Sequence, residues 1–323
     1  MGLKASFRGV VAALILGSAW SAHAQTYPDR PIRVIIPYAP AGGTDIVVRM
    51  IAPAAGAALG QSIVVDNRPG ASTMTGTGAV ARSPADGYTL LATDSALLIN
   101  PGLFKSRLPY DTAKELKGVT MMATSPAILV VNPKIPAKTL AELTALAKAK
   151  PGVLNYGSGG IGTAPHLAGE LMKLAAGIDV QHVAYRGTSP ALTGVLSGQV
   201  ELAFIGISSA APFLATGELR AIAITGGTRH PSLPDVPTFK ESGLDVDGSS
   251  YWGIYAPAEV PDEIVAKLHR AFTEALRLPE NEKKLASLGY APIANTPQEH
   301  TAQFRLMIDQ WTSVVERAGI KVE

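Results

Sequence analysis

The sequence predicts an α/β protein built as a clamshell: two domains, each a mostly parallel sheet flanked by helices, closing on a shared cleft. Three observations lead to that class. Short apolar runs alternate with helix-like stretches along the chain, as in βαβ units. The alternation breaks twice, near 121–131 and near 249–256, where the chain would cross between domains. Two glycine-rich turns, more than 100 residues apart, each join an apolar run to a helix start.

The N-terminus reads as a leader. Lys4 and Arg8 form a basic region, 10–20 is short and mostly apolar, and Ala22-His23-Ala24 has the small-x-small form of a cleavage site. Export with cleavage after Ala24 is expected. The apolar stretch is shorter than the ~20 residues a membrane span needs.

Composition narrows the function classes. The absence of cysteine excludes disulfides, thiolate catalysis and cysteine metal sites. Of 323 residues, 299 remain without the 24 of the leader, enough for two α/β domains. Lys and Arg number 28 against 26 Asp and Glu, and setting aside Lys4 and Arg8 makes the two equal. That balance does not suggest nucleic acid or an anionic membrane surface, which call for clustered positive charge.

Within the first domain the buried parallel strand 32–36 leads to a helix over 45–59 ended by Gly60, a strand over 62–66, a helix over 72–82 and a strand over 89–93. An extended run follows at 127–131. A second set of units then begins: helix 140–150 opened by Thr139, strand 153–156, helix 163–176, strand 180–184, helix 189–197, strand 203–205, helix 208–216 and strand 219–225. Pro231, Pro234 and Pro237 interrupt regular structure. The run 252–256 is extended and placed to cross between domains. Helix 261–277 has Ile264, Val265, Leu268, Phe272 and Leu276 at helical spacing, and a long helix over 297–318 closes the chain. The expected organisation is a leader at 1–24, one domain from 25–122 plus 250–323, and a second from 123–249, with the cleft where strand carboxyl ends face each other.

The first turn is Pro37-Tyr38-Ala39-Pro40-Ala41-Gly42-Gly43-Thr44-Asp45; the second is Tyr156-Gly157-Ser158-Gly159-Gly160-Ile161-Gly162-Thr163. A strand, a glycine loop and a helix N-terminus together present unpaired N–H groups and a positive dipole end, which suits an anion. Each is also readable as an ordinary βα turn that needs glycine for positive φ. Asp45 is either a first-turn acid or a group that orients the loop, because a carboxylate would repel an anionic ligand. His166 is either structural or a ligand contact, and Ser158 and Thr163 are caps or carboxylate donors. Ser189 lies in a third strand–turn–helix, Tyr185-Arg186-Gly187-Thr188-Ser189.

Gly157, Gly159 and Gly162 spell G-x-G-x-x-G, but the acid a dinucleotide needs at the end of the next strand is absent, since Asp179 precedes that strand. No P-loop or G-x-S-x-G elbow occurs, and the histidines show no metal spacing. No cofactor, metal or catalytic group is expected.

Several segments in the same order resemble the substrate-binding proteins of tripartite tricarboxylate transporters, the Bug family. They are Tyr27-Pro28-Asp29-Arg30-Pro31-Ile32-Arg33, the turn at 38–45, Asn67-Arg68-Pro69-Gly70-Ala71, Pro84-Ala85-Asp86-Gly87-Tyr88-Thr89-Leu90, Tyr156-Gly157-Ser158 with Gly162-Thr163 and His166-Leu167, and Pro234-Asp235-Val236-Pro237-Thr238. The resemblance covers essentially the whole mature chain. It implies a periplasmic type-2 binding-protein fold and a small carboxylate held by both glycine turns, partly through water. By position it implies contacts from Tyr38, Ala41, Gly42, Gly43, Thr44 and Asp45, from Ser158, Gly159, Gly160, Thr163 and His166, and from Ser95 and Asn100.

Two departures stand out. Ala41 replaces a glycine usual in the family, and Ile205-Gly206 stands where the family often has Asp-Asn after a phenylalanine. The lost carboxylate disfavours amino acids and favours an aromatic or aliphatic mono- or dicarboxylate. The expected role is a monomeric, non-enzymatic periplasmic receptor that hands its ligand to a small and a large membrane subunit. A ligand-sensing partner of a membrane signalling protein, or a periplasmic enzyme on the same fold, is the alternative.

Overall fold

The computed structural model describes residues 27–40 and 42–322; the expected leader, its cleavage after Ala24 and the candidate residue Ala41 lie outside them. The chain first runs β1 (Ile32–Ile36), α1 (Gly43–Leu59), β2 (Ile63–Asn67), α2 (Met74–Ala81), β3 (Thr89–Asp94), α3 (Ala96–Phe104), α4 (Thr112–Glu115) and β4 (Leu116–Ser125). Then come β5 (Ala127–Val131), α5 (Leu140–Ala149), β6 (Asn155–Ser158), α6 (Ala164–Ala176), β7 (Gln181–Ala184), α7 (Thr188–Ser197), β8 (Leu202–Gly206), α8 (Ile207–Ala215) and β9 (Arg220–Ile224). The last stretch is β10 (Ser250–Pro257), α9 (Asp262–Leu276), α10 (Pro279–Ser287), β11 (Ala291–Pro292) and α11 (Pro297–Arg317).

These strands form two sheets, ordered β11-β4-β10-β3-β1-β2 and β7-β6-β8-β5-β9. Each holds a parallel trio, β1 between β2 and β3 and β6 between β7 and β8, reached through crossover helices. Strands that enter without such a crossover pair antiparallel: β10 with β3 and β4, and β5 with β8 and β9. Only Pro126 separates β4 in the first sheet from β5 in the second, and the chain returns just ahead of Ser250. The run at 252–256 therefore lies wholly inside β10 of the first sheet.

Burial explains the pattern. Along β5, Ile128 and Val130 pack into one apolar layer and Leu129 and Val131 into the opposite one, so the strand is apolar throughout. In α9 the stripe Val265, Leu268, Ala271, Phe272, Ala275 and Leu276 is buried against the first sheet. A capping box at Thr296 and Glu299 starts α11, with Pro297 in its first turn.

Two expected elements differ. The helix over 72–82 starts only at Met74, because Ala71, Ser72 and Thr73 adopt φ of 45°, 50° and 76°. Helix α3 has no counterpart among the expected elements: Ala96–Phe104 is apolar around most of its circumference and contains Pro101, so it lacks an amphipathic signal.

Candidate functional site

A cavity of about 680 Å³ opens between the two sheets. The half built on the first sheet lines it with Tyr38, Ser72, Thr73, Asp94, Ser95 and Asn100, together with Leu103, Phe104, Trp252 and Tyr290. The half built on the second sheet contributes Gly159, Ile161, Gly162, Thr163, Gly187 and Thr188, and Gly206 and Ser208 at the start of α8. Ser125, Pro126, Ala127 and Ser250 line it where the chain crosses between the sheets. Among the described lining residues there is no Lys, Arg or His; Asp94 carries the single carboxylate. The halves touch across the cleft: a Cβ on Gly162 would meet Leu103, and one on Gly289 would meet Ser208.

The second turn is shaped from beneath. Ser158 is fully buried; its hydroxyl accepts the Gly160 N–H at 3.2 Å and lies 2.7 Å from His182 Nε2. The His166 ring stacks on His182 with centroids 4.0 Å apart, and its Nδ1 accepts the Gly162 N–H at 3.1 Å. Burial holds His166 down to about 3 and His182 to about 4, so both rings are neutral. Thr163 caps α6, and its hydroxyl also donates to the Gly160 carbonyl at 2.8 Å. The N–H groups of Gly160 and Gly162 are thus used within the protein. Those of Gly159, Ile161 and Ala164 have no partner among the described residues; they belong to the turn that runs from the end of β6 into α6.

In the first turn Tyr38 alone of the described candidates lines the cavity. A Cβ on Gly43 would lie 2.9 Å from the Tyr290 hydroxyl and 3.5 Å from the Trp252 ring, so the start of α1 packs behind these aromatics. Gly42 is half-buried and Thr44 is buried. Asp45 accepts both of its 2.9 Å bonds from Arg49 Nε and a 3.0 Å bond from Asn67, whose amide also donates to the Tyr38 carbonyl. Its observed bonds orient the loop.

Of the other candidates, Ser95 and Asn100 line the cavity, but both are buried and engaged. The Ser95 hydroxyl accepts the Tyr251 N–H at 2.9 Å, and the Asn100 amide donates to Ser72. Gly42, Gly43, Thr44, Asp45, Ser158, Gly160, His166 and Ser189 are not among the lining residues; Ser189 is exposed on α7, and its neighbours Gly187 and Thr188 line the cavity instead.

Several wall residues carried no sequence signal. Trp252 and Tyr290, with ring centroids 4.7 Å apart, come from the far end of the chain. Ser72 and Thr73 enter through their left-handed turn. Gly206, of the Ile205-Gly206 pair that stands where the family often carries Asp-Asn, lines the cavity, and Asp94 at the end of β3 places a carboxylate elsewhere on the wall. Its Oδ1 accepts a short hydrogen bond from the Tyr38 hydroxyl and a 2.9 Å bond from the Ala96 N–H. Burial raises its proton affinity, and those hydrogen bonds oppose the shift.

A cavity between two sheet-centred halves joined by two crossings defines a type-2 periplasmic-binding-protein clamshell. Residues 47–320 match the model of the tripartite tricarboxylate transporter family receptor. The chain is 35% identical over 309 residues to Protein BugT of Bordetella pertussis, covering 95% of each. The R. palustris protein Rpa4515 with adipate is 31% identical with a TM-score of 0.77, covering 91% of this chain and 99% of that one. MatC from Rhodopseudomonas palustris with bound malate is 29% identical with a TM-score of 0.73, covering 90% and 100%. The chain belongs to the tripartite tricarboxylate transporter receptor family, a family of solute-binding receptors and not of enzymes.

Proposed function

We propose that this protein is exported to the periplasm after cleavage at Ala24. There it captures a small carboxylate, aromatic or aliphatic, mono- or dicarboxylic, and presents it to the small and large membrane subunits of a tripartite tricarboxylate-type transporter. The observation that carries the reading is the group of N–H donors of Gly159, Ile161 and Ala164 in the turn that leads into α6, beside a cavity with no lining cation. A carboxylate there meets backbone donors and a positive helix end without needing Lys or Arg. The adipate and malate bound to two relatives support the same ligand class.

Each charge-assisted bond contributes about 1.5–3 kcal/mol, and a handful, less ordering costs, reaches the ~8 kcal/mol of a micromolar complex. In this reading the two sheets with their helices are domains that hinge near Pro126 and Ser250; the expected boundary between 122 and 123 falls inside β4, so the crossing is taken at Pro126. The receptor acts as a monomer.

A thermal-shift screen of mono- and dicarboxylates against neutral sugars tests this. A ligand at ~100 times its Kd adds about 2.7 kcal/mol of stability. At least one carboxylate is expected to raise the melting temperature; a response to sugars alone would sink the reading.

A further inference from the structure

We propose that Asp94 sets which carboxylates this cavity accepts, its open oxygen receiving a hydrogen-bond donor, a hydroxyl or a protonated amine, on the part of the ligand remote from the second turn. The proposal rests on the carboxylate reading of the cavity and narrows it.

The geometry around Asp94 is one-sided. The Tyr38 hydroxyl and the Ala96 N–H both donate to Oδ1, and Oδ2 takes no hydrogen bond from the described residues. Two bonds on one oxygen fix the plane of the group and leave the other oxygen to the cavity. Tyr38 and Ala96 line the same wall, and the single phenolic proton of Tyr38 is committed to Oδ1.

No lining Lys, Arg or His among the described residues is there to neutralise this carboxylate. When the cleft holds a ligand and water is displaced, an unpaired carboxylate oxygen on the wall is unfavourable. A donor on the ligand removes that cost, and an ammonium also brings the missing positive charge. A second carboxylate in the same place would face a like charge. Sites built to pair one polar group discriminate strongly against analogues that lack it.

Isothermal titration at pH 8 tests the proposal on the purified protein. The ligands are straight-chain acids of four to six carbons: the unsubstituted acid, its hydroxy and amino derivatives substituted at each carbon, and the matching dicarboxylate. A hydroxy or amino acid is expected to bind at least tenfold more tightly than both the unsubstituted acid and the dicarboxylate. Asp94→Asn, which keeps an acceptor for Tyr38 and Ala96, is expected to erase that advantage while the ligand-free variant melts as a folded protein. If the dicarboxylate binds the wild type as well as any hydroxy or amino acid does, the proposal is wrong and the carboxylate reading stands. If Asp94→Asn leaves the rank order unchanged, the proposal is likewise wrong. If no acid binds but neutral sugars do, both fall. The wild-type rank order decides even where the variant does not fold.

Discussion

The side-chain amide of Asn100 donates to the Ser72 carbonyl at 2.8 Å and pins a left-handed stretch of backbone against the cavity. A second bond runs to the Thr73 hydroxyl at 3.1 Å. Left-handed backbone costs an L residue about 1–2 kcal/mol, so Ala71, Ser72 and Thr73 hold it only because their surroundings impose it. Asn100→Ala is expected to lower stability by about 1–3 kcal/mol through the lost buried bonds. It should also weaken ligand binding, because Ser72 and Thr73 are wall residues. Urea unfolding and calorimetric titration measure both effects. Ser72→Gly in the Asn100→Ala background should recover part of the stability, since glycine accepts φ of 50° without strain.

Gly162 lies on the opposite side of the cleft with φ of 79°, and a Cβ there would sit 2.6 Å from Leu103 Cδ1. Gly162→Ala is expected to hold the halves apart and reduce affinity at least tenfold. Leu103→Ala alone should be milder, and the double variant should bind better than Gly162→Ala, because the clash is removed and only the backbone strain remains. Equal affinity for the single and double Gly162 variants would contradict the contact.

Gly159 is tight against backbone rather than a side chain. Its Cβ would lie 3.2 Å from the Thr188 nitrogen and 3.3 Å from the Gly187 carbonyl carbon. Gly159→Val is expected to push the second and third turns apart and abolish binding while the cooperative unfolding transition persists. Retained affinity would remove the second turn from the site.

Three buried histidines are expected to make the protein acid-sensitive. Burial lowers His166 to about 3, helped by the neighbouring His182 and Lys173; burial lowers His182 to about 4 and His300 to about 3. Both ring nitrogens of His300 are buried without a hydrogen-bond partner among the described residues. The unfolded chain therefore takes up protons near 6.5, where the folded protein does not. This stabilisation is full above 6.5 and is lost as pH falls from there towards 3–4. At pH 5 the loss is roughly 2 kcal/mol each for His166 and His300. Urea midpoints at pH 7.5 and pH 5 should differ accordingly, and His300→Leu should flatten the dependence.

Much of this site is legible in the residues themselves. Gly42-Gly43 and the run 157–163 mark strand-to-helix turns, and such turns announce their backbone donors locally. What lies one layer back is not legible. Ser158 and His166 look like ligand contacts because they sit in or beside a glycine loop, yet tertiary packing turns them inward onto His182. Asn100 sits in a cavity segment, but its partner Ser72 is set by a left-handed turn that an ordinary Ala-Ser-Thr string does not signal. In the sequence Asp94 stands just past an apolar strand; only the fold brings Tyr38, Trp252 and Tyr290 to the same wall. Convergence of residues some 200 positions apart has no periodicity to reveal it.

The most direct test of the central claim, a carboxylate held by the second turn between the two halves, compares acids with their neutral esters. Calorimetric titration with a panel of small mono- and dicarboxylic acids and the methyl ester of each is expected to show micromolar binding for at least one acid, ~8 kcal/mol. Its ester should bind at least 100-fold more weakly. An ester that binds as tightly as its acid, or a panel in which no acid binds, would contradict the claim.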